Sequence, residues 1–481
     1  GDSKEARLLN RATQGLYPPG STFKVITALE YMREHPGAYD GFHFSCDGIY
    51  EYENIRIQCY HKTAHGEEDF AASFANSCNG AFAEIGMQIN SEKFRALANQ
   101  MLFNSELPYT LPYNQSTFSL DGSSDDWEKL QTAIGQGKTQ ITPLHNLMIV
   151  SAIANGGTYT KPVFFTKILD RNGKILIDNE PETRQALKDS TAYLLTSAMQ
   201  DVMQSNTMYT RSGSGVKSTG TTAAIPNMSC AGKSGTTTSN VDVWFVGFTP
   251  YYTAGIWGGC DNNQPLKGGT VSNGGTSYHK RIWRNIMTRV HESLSDPGFT
   301  VPDSIETAEV CRKSGKLPVS GVCSSDPRGT AVYTEYFAKG TVPTETCDHH
   351  TRVTICSASG GISTAFCPTN QQISKTVMVV PEDGGETDDS RFSMPGECKI
   401  HNGSSTLIHP SESAAPIQII YRLRSTLRFH ARWREVDGME IIFRLSRRIR
   451  SINSKIIYLQ KAAVKSDIHM PLLQQLFISS T

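Results

Sequence analysis

From Val241 the chain reads Val-Asp-Val-Trp-Phe-Val-Gly-Phe248, then Thr249-Pro250, then an apolar run from Tyr252 to Trp257. This pattern predicts two strands joined by a tight turn, which commits the chain to a sheet. Helices are predicted from both sequence ends. Pro18-Pro19-Gly20 breaks the chain, and after it Phe23, Ile26, Leu29 and Met32 recur every three residues, so a helix is expected to start near Ser21. Further helices are expected from about Ala81 to Ile89 and, capped by Asn90, from Ser91 to Leu102. The apolar stretch Leu147 to Ala154 ends at Asn155-Gly156-Gly157, and Ile282, Ile286, Val290 and Leu294 recur every four residues. The expected fold class is α/β (α+β), an antiparallel sheet flanked by helices.

The 481 residues suffice for two to four domains, and 38% apolar with 19% charged residues excludes a collagen-like, coiled-coil or wholly disordered chain. Lys+Arg and Asp+Glu both total 46, a zero balance that argues against a nucleic-acid binder. The zero hides two unlike pieces. Residues 416–481 carry 12 basic and 4 acidic residues, leaving 34 and 42 in the rest. Arginines from Arg422 to Arg450 interleave there with Ile and Leu, the pattern of a membrane-surface helix or an anionic-polymer binder. The abrupt compositional change instead favours a segment foreign to the design, such as a shifted reading frame. Residues 211–222, rich in Gly, Ser and Thr, are expected to form a surface loop. No internal repeat is evident.

Eleven cysteines occur, none in the basic tail, and six fall between Cys311 and Cys398, the density of an exported, disulfide-stapled module. A bridge between Cys46 and Cys59 would close a short loop, worth about 3 kcal/mol. No Cys-x-x-Cys spacing marks a zinc ribbon, so the alternative that Cys347-Asp-His-His350 with Cys356 binds a metal ranks below disulfides or free thiols. The expected organisation is a domain at 1–299, a Cys-rich module at 300–410 and a basic tail at 411–481.

Ser21-Thr-Phe-Lys24 places a hydroxyl and an amine on one helical face, at a helix start that favours developing negative charge. Lys24 is the nearest base. Its ordinary pKa of about 10.4 must fall by about 3, equivalent to about 4 kcal/mol, through burial or a second cation. Lys233-Ser-Gly-Thr-Thr237, just before the Val241 strand, offers that cation and a grip for a substrate carboxylate, and Gly235 would let an extended peptide approach as an added strand. Ser77-Cys78-Asn79 supplies a second hydroxyl and an amide for proton relay and carbonyl binding. Ser214-Gly-Val-Lys217 and Ser451-Ile-Asn453 match the same short patterns without the helix or strand context. The plain alternatives are an exposed cap and solvated lysine for Ser21 and Lys24, turn capping for Ser77 and Asn79, and a polar strand end for Lys233 to Thr237. Cys78 then reads as a small filler, His61 and His65 as loop histidines, and Trp244 and Trp257 as core aromatics.

The ordered set S-x-x-K, S-x-N, K-[ST]-G resembles the penicillin-recognising serine enzymes, most nearly the transpeptidase domain of high-molecular-weight penicillin-binding proteins. Asn10-Arg-Ala-Thr13, Pro19-Gly-Ser-Thr-Phe-Lys24, Ala133-Ile-Gly-Gln-Gly137, Thr142-Pro-Leu144, Asn155-Gly-Gly157, Gly232-Lys-Ser-Gly-Thr-Thr237 and Trp244-Phe-Val-Gly-Phe-Thr-Pro250 carry it, over about residues 8 to 295. The resemblance implies a serine β-lactamase-like fold, whose first sheet strands this chain is expected to lack because only 20 residues precede Ser21. It implies Ser21 as acylated nucleophile, Lys24 as base, and Ser77 and Asn79 as the second-motif pair. Lys233 and Ser234, with Gly235, Thr236 and Thr237, would hold a D-Ala-D-Ala stem peptide or a β-lactam, and the N–H groups of Ser21 and Thr236 would form the oxyanion hole.

The implied activity is that of a serine D,D-transpeptidase cross-linking peptidoglycan, with no metal or organic cofactor. Alternatives are a D,D-carboxypeptidase or an inactive penicillin-binding sensor. No Glu-x-x-x-Asn motif lies between Asn79 and Lys233, which lowers a β-lactamase reading. The chain lacks a signal peptide and an apolar run of membrane length, so it is expected to be part of a larger membrane-anchored protein acting outside the cytoplasm with other cell-wall synthesis proteins. Trp244 to Gly247 and Tyr336-Phe-Ala-Lys-Gly340 through Cys347 lean towards the bifunctional subclass, while Tyr17-Pro-Pro-Gly20 is common in the other.

Overall fold

The apolar run after Val241 forms the middle of a sheet. Strand β1 (Ala231–Thr236) pairs antiparallel with β2 (Asp242–Phe248), Lys233 opposite Val246, and β2 pairs antiparallel with β3 (Tyr252–Gly259), Trp244 opposite Trp257. All of β2 is buried, because both faces of the sheet are covered. Alternation divides its side chains: Trp244, Val246 and Phe248 join the larger core, whereas Phe245 joins a second core with Ala254, Ile256, Trp283 and Met287. The helix Tyr278–Val290 supplies that second face, as the recurrence at Ile282, Ile286 and Val290 predicts. Trp283 is fully buried, donates Nε1–H to Ala254 O at 3.0 Å and meets Phe245 edge-on. Trp283→Ala is expected to lower the free energy of unfolding by about 3–5 kcal/mol, read from the urea midpoint.

The structure is a computed structural model that describes residues 8–204, 208–209, 215–216, 218–260, 264–266, 278–379, 390, 392–401 and 477–480. The tail expected at 411–481 lies outside the described residues except for 477–480, and so do 211–214 and 217 of the Gly/Ser/Thr-rich stretch. Phe477–Ser480 pairs antiparallel with β3, so β1 and this short strand are the two edges of a four-stranded sheet.

On the larger core's side the central element is helix α1 (Lys24–Glu34), buried from Lys24 through Met32. A helix covered all round by protein reads as this one does, with Lys24, Thr27 and Glu30 its polar exceptions. The expected start near Ser21 differs in detail: Gly20–Phe23 is a 3-10 turn, and α-geometry begins at Lys24. The tighter winding follows from crowding, because Gly20 (φ 54°) is wedged between the backbones of Thr236 and Gly135. The other predicted helices occur as Asn79–Gln88 and Ser91–Gln100, and the apolar stretch Leu147 to Ala154 proves to be part of a helix, Pro143–Ala154. Asn90 caps the second by accepting from the N–H groups of Glu92 and Lys93.

Residues 300–400 hold two antiparallel hairpins, Ile305–Cys311 with Val332–Ala338 and His350–Cys356 with Gln372–Met378. The first strands share one burial pattern, and each ends in a cysteine followed by the same turn, Cys311-Arg-Lys-Ser-Gly315 and Cys356-Ser-Ala-Ser-Gly360. In both turns the glycine has positive φ and donates to the cysteine carbonyl at 2.8 Å. The absence of an internal repeat is thus corrected. This region repeats one local structural pattern, hidden in sequence because only the turn and the cysteines match while the loops between them differ.

Described residues through Ile400, together with Phe477–Ser480, belong to one compact unit; a second begins at His401, its one described residue. No helix among the described residues is long and apolar enough to cross a membrane.

Candidate active site

Ser21 lies half-exposed on the 3-10 turn that leads into α1, and its carbonyl accepts from the N–H of Lys24. Three supports hold this turn. Gly20 N–H donates to Gly135 O at 2.9 Å, so the Gly135-Gln-Gly137 loop closes one side. Thr22 Oγ1 donates to Pro19 O at 2.8 Å and accepts from Asn146 Nδ2 at 3.1 Å. Behind them Trp244 Nε1 donates to Pro18 O at 3.0 Å and Tyr17 stacks on Trp257 at 3.8 Å, so these aromatics brace the turn as well as fill the core.

Alternation along β1 places Lys233 and Gly235 on one face. A Cβ on Gly235 would come within 2.9 Å of Pro19 O and 3.1 Å of Thr22 N. The glycine expected to admit a peptide therefore first admits the Ser21 turn, while the outer edge of β1 has no strand partner among the described residues. Ser234 and Thr237 are buried, and Thr237 Oγ1 donates to Asp242 Oδ2 at 3.1 Å, tying the end of β1 to β2.

Ser77 sits in the sharp turn between the helices Phe70–Ala75 and Asn79–Gln88, at φ 57°. A non-glycine residue in the left-handed region is strained, and such strain gathers where a side chain must be aimed. Lys24 Nζ donates to Ser77 O and Asn79 Oδ1, both at 2.7 Å, and to Cys78 O at 3.2 Å, with Ser77 Oγ at 3.5 Å. Lys233 Nζ lies 2.7 Å from the same Ser77 Oγ. One hydroxyl thus stands between two fully buried amines. No hydrogen bond joins Ser21 Oγ to Lys24 Nζ among the described residues; the Lys24 protons go to the Ser77–Asn79 turn instead.

Burial removes water from both ammonium groups, pushing Lys24 down to about 8 and Lys233 well below the ordinary lysine value, with the Lys24 charge adding to the effect on Lys233. The rings of Phe82 and Phe74 lie 5.3 and 5.5 Å from the two Nζ atoms. A third amine, the half-buried Lys280, donates to Thr219 O at 2.7 Å and is pushed down to about 8 by desolvation. Nothing in the periodicity of its helix distinguishes it from the exposed Arg281, Arg284 and Arg289, and Asn146 likewise reads only as a polar interruption in an apolar helix.

Next to this site the cysteines depart from expectation. Cys46 Sγ and Cys59 Sγ lie 3.7 Å apart, against about 2.05 Å for a disulfide, and no disulfide is present among the described residues. Cys78 Sγ is also 3.7 Å from Cys59 Sγ, and His65 Nδ1 is 3.3 Å from Cys46 Sγ. Cys78 is fully buried, as a filler would be, and accepts from Ala81 N–H, while His65, expected in a loop, is buried among sulfurs. In the Cys-rich region His350 joins Cys347 and Cys311, with Cys323, rather than Cys356.

The sequence pattern of the penicillin binding protein transpeptidase domain matches residues 2–288, and that of the penicillin-binding protein 1A C-terminal domain matches residues 301–352. Penicillin-binding protein 1A of Clostridium botulinum (strain Hall) is 35% identical over 236 residues, 49% of this chain and 26% of that protein. Penicillin-binding protein 1A/1B of Bacillus subtilis is 30% identical over 349 residues, 69% of this chain and 34% of that one. The chain thus spans about a quarter to a third of these relatives. Among solved structures, the D,D-transpeptidase domain of a peptidoglycan glycosyltransferase from Eggerthella lenta aligns with a TM-score of 0.51 at 25% identity, covering 60% of this chain and 69% of that one. Penicillin-binding protein 1A from Haemophilus influenzae aligns at 0.54 and 19% identity, over 71% and 50%, and shares the fold.

Proposed function

Since the chain belongs to the penicillin-binding protein transpeptidase family, we propose that it is a peptidoglycan D,D-transpeptidase that works through a serine acyl-enzyme and is inhibited by β-lactams. The observation that carries this reading is the meeting of Lys24, Ser77, Asn79 and Lys233 beside the Ser21 turn, with Ser77 Oγ between the two amines. The neutral fraction of Lys24, about a tenth at pH 7 for a pKa near 8, takes the proton of Ser21 as Oγ attacks the penultimate D-Ala carbonyl. The N–H groups of Ser21 and Thr236 hold the developing oxyanion. Collapse breaks the peptide bond, and the leaving D-Ala amine takes a proton passed through Ser77 Oγ. An acceptor amine then attacks the Ser21 ester, forms the new amide and returns the proton to Ser21. Lys233 and Ser234, with Gly235, Thr236 and Thr237, bind the terminal carboxylate of the donor peptide, which lies along the open edge of β1.

The parent protein acts outside the cytoplasm at the cell membrane, where this substrate lies. Fluorescent penicillin mixed with the full chain should give one covalent label per chain, in the peptide that carries Ser21. Label on any other residue, or none on folded protein, overturns the reading.

A further inference from the structure

We propose that Cys46, Cys59, His65 and Cys78 bind one zinc ion in a structural site that anchors the Ser77–Asn79 turn. The four donor atoms lie within 4.8 Å of one another and all four residues are buried. Tetrahedral zinc with Zn–S near 2.3 Å and Zn–N near 2.05 Å needs S···S edges of about 3.8 Å and S···N edges of about 3.6 Å. The observed edges are 3.7 Å for Cys46–Cys59, 3.7 Å for Cys59–Cys78 and 3.3 Å for Cys46–His65. A disulfide would leave one sulfur and the imidazole without purpose, whereas three thiolates and one imidazole complete a structural zinc set.

Local architecture supports the same occupant. Residues 43–69 form only short two-stranded ladders, His43–Cys46 with Gly66–Asp69 and Ile49–Tyr52 with Ile55–Gln58, and few of their side chains are apolar and buried. So little core does not hold a segment of this length, and a metal is the usual substitute. The donors come from a strand end, two loops and the cap of the helix Asn79–Gln88, so one ion would join every part of it. Glu68 packs against the cluster, its Oε2 3.8 Å from His65 Nδ1 and its Oε1 accepting from Asn76 Nδ2 at 2.9 Å.

The chain repeats this donor set elsewhere. Cys311, Cys323, Cys347 and His350 also lie within 4.8 Å of one another, with His350 Nδ1 3.3 and 3.4 Å from two of the sulfurs. There His350 Nε2 meets Asp326 Oδ2 at 2.7 Å, the carboxylate that orients a metal-bound imidazole. Two unrelated segments arriving at one Cys3His geometry is better explained by a shared ligand than by packing. At the first site Cys78 lies between Ser77 and Asn79, so the ion would fix the backbone that Lys24 grips.

The test is metal content of the full chain. Elemental analysis should find zinc, and replacement by cobalt should give the visible bands of a tetrahedral cobalt thiolate. The double variant C46S/C59S should lose one equivalent relative to the parent, whereas C230S and C260S should lose none. In native protein Cys46, Cys59 and Cys78 should resist alkylation until a chelator strips the metal, a measurement that stands even if the double variant does not fold. Zinc-free native protein that takes up no cobalt, a Cys46–Cys59 disulfide in the peptide map, or an unchanged zinc count in C46S/C59S overturns the proposal. None of these readouts depends on penicillin acylation, so the site is judged apart from the catalytic reading.

Discussion

Replacing Ser21 with alanine is expected to abolish covalent penicillin labelling while leaving the unfolding midpoint near that of the parent. The side chain is half-exposed, and the turn's own supports come from Gly20, Thr22 and Pro18 rather than from the Ser21 hydroxyl. Lys24→Met should behave differently. It removes the general base, which should lower the acylation rate by about 10²- to 10⁴-fold. It also leaves the carbonyls of Ser77 and Cys78 and the amide oxygen of Asn79 without their donor. Stopped-flow acylation and urea titration of the two variants separate these effects: S21A loses chemistry alone, K24M loses chemistry and stability. Residual label on S21A would remove Ser21 as the nucleophile.

Gly135→Ala is expected to reach the same loss of labelling from outside the three motifs. Gly135 has φ 77°, and a Cβ there would overlap Gly20 O and come within 2.8 Å of Phe23 Cβ. Backbone cannot swing aside as a long side chain can, so the Ser21 turn must shift or the chain must unfold. The cost should exceed about 4 kcal/mol, the range reserved for buried clashes. Gly173→Ala is the control, since Gly173 has φ 83° but nothing within 4 Å of its would-be Cβ. It should cost only about 1–2 kcal/mol of backbone strain. Equal midpoints for G135A and G173A would refute the close approach.

What the sequence discloses here is what is local. The strand pair around Trp244, the cap at Asn90 and the helix periodicity at Ile282, Ile286 and Val290 are readable because their signals lie within a few residues. The Lys24, Ser77, Asn79 and Lys233 grouping is readable only because three short motifs occur in order, each on a suitable element. The Cys46–Cys59 pair misleads, since spacing alone favours a bridge and only the fold brings in His65 and Cys78. Likewise the structural repeat around Cys311 and Cys356 becomes visible only when two strands show one burial pattern. Lys280 stays hidden because the partial burial of an amine depends on elements distant in sequence.

The wide separation of the pieces that meet at Ser21 bears on how the protein matures. Asn146 and Thr22 are 124 positions apart, Lys233 and Ser77 156, and Trp244 and Pro18 226. Closing such long loops is slow, so these contacts belong late in folding. Penicillin capture should therefore lag behind the recovery of helical circular dichroism during refolding. A covalent label would then count only chains that have completed assembly, making the antibiotic a probe of conformational maturation as well as of catalysis.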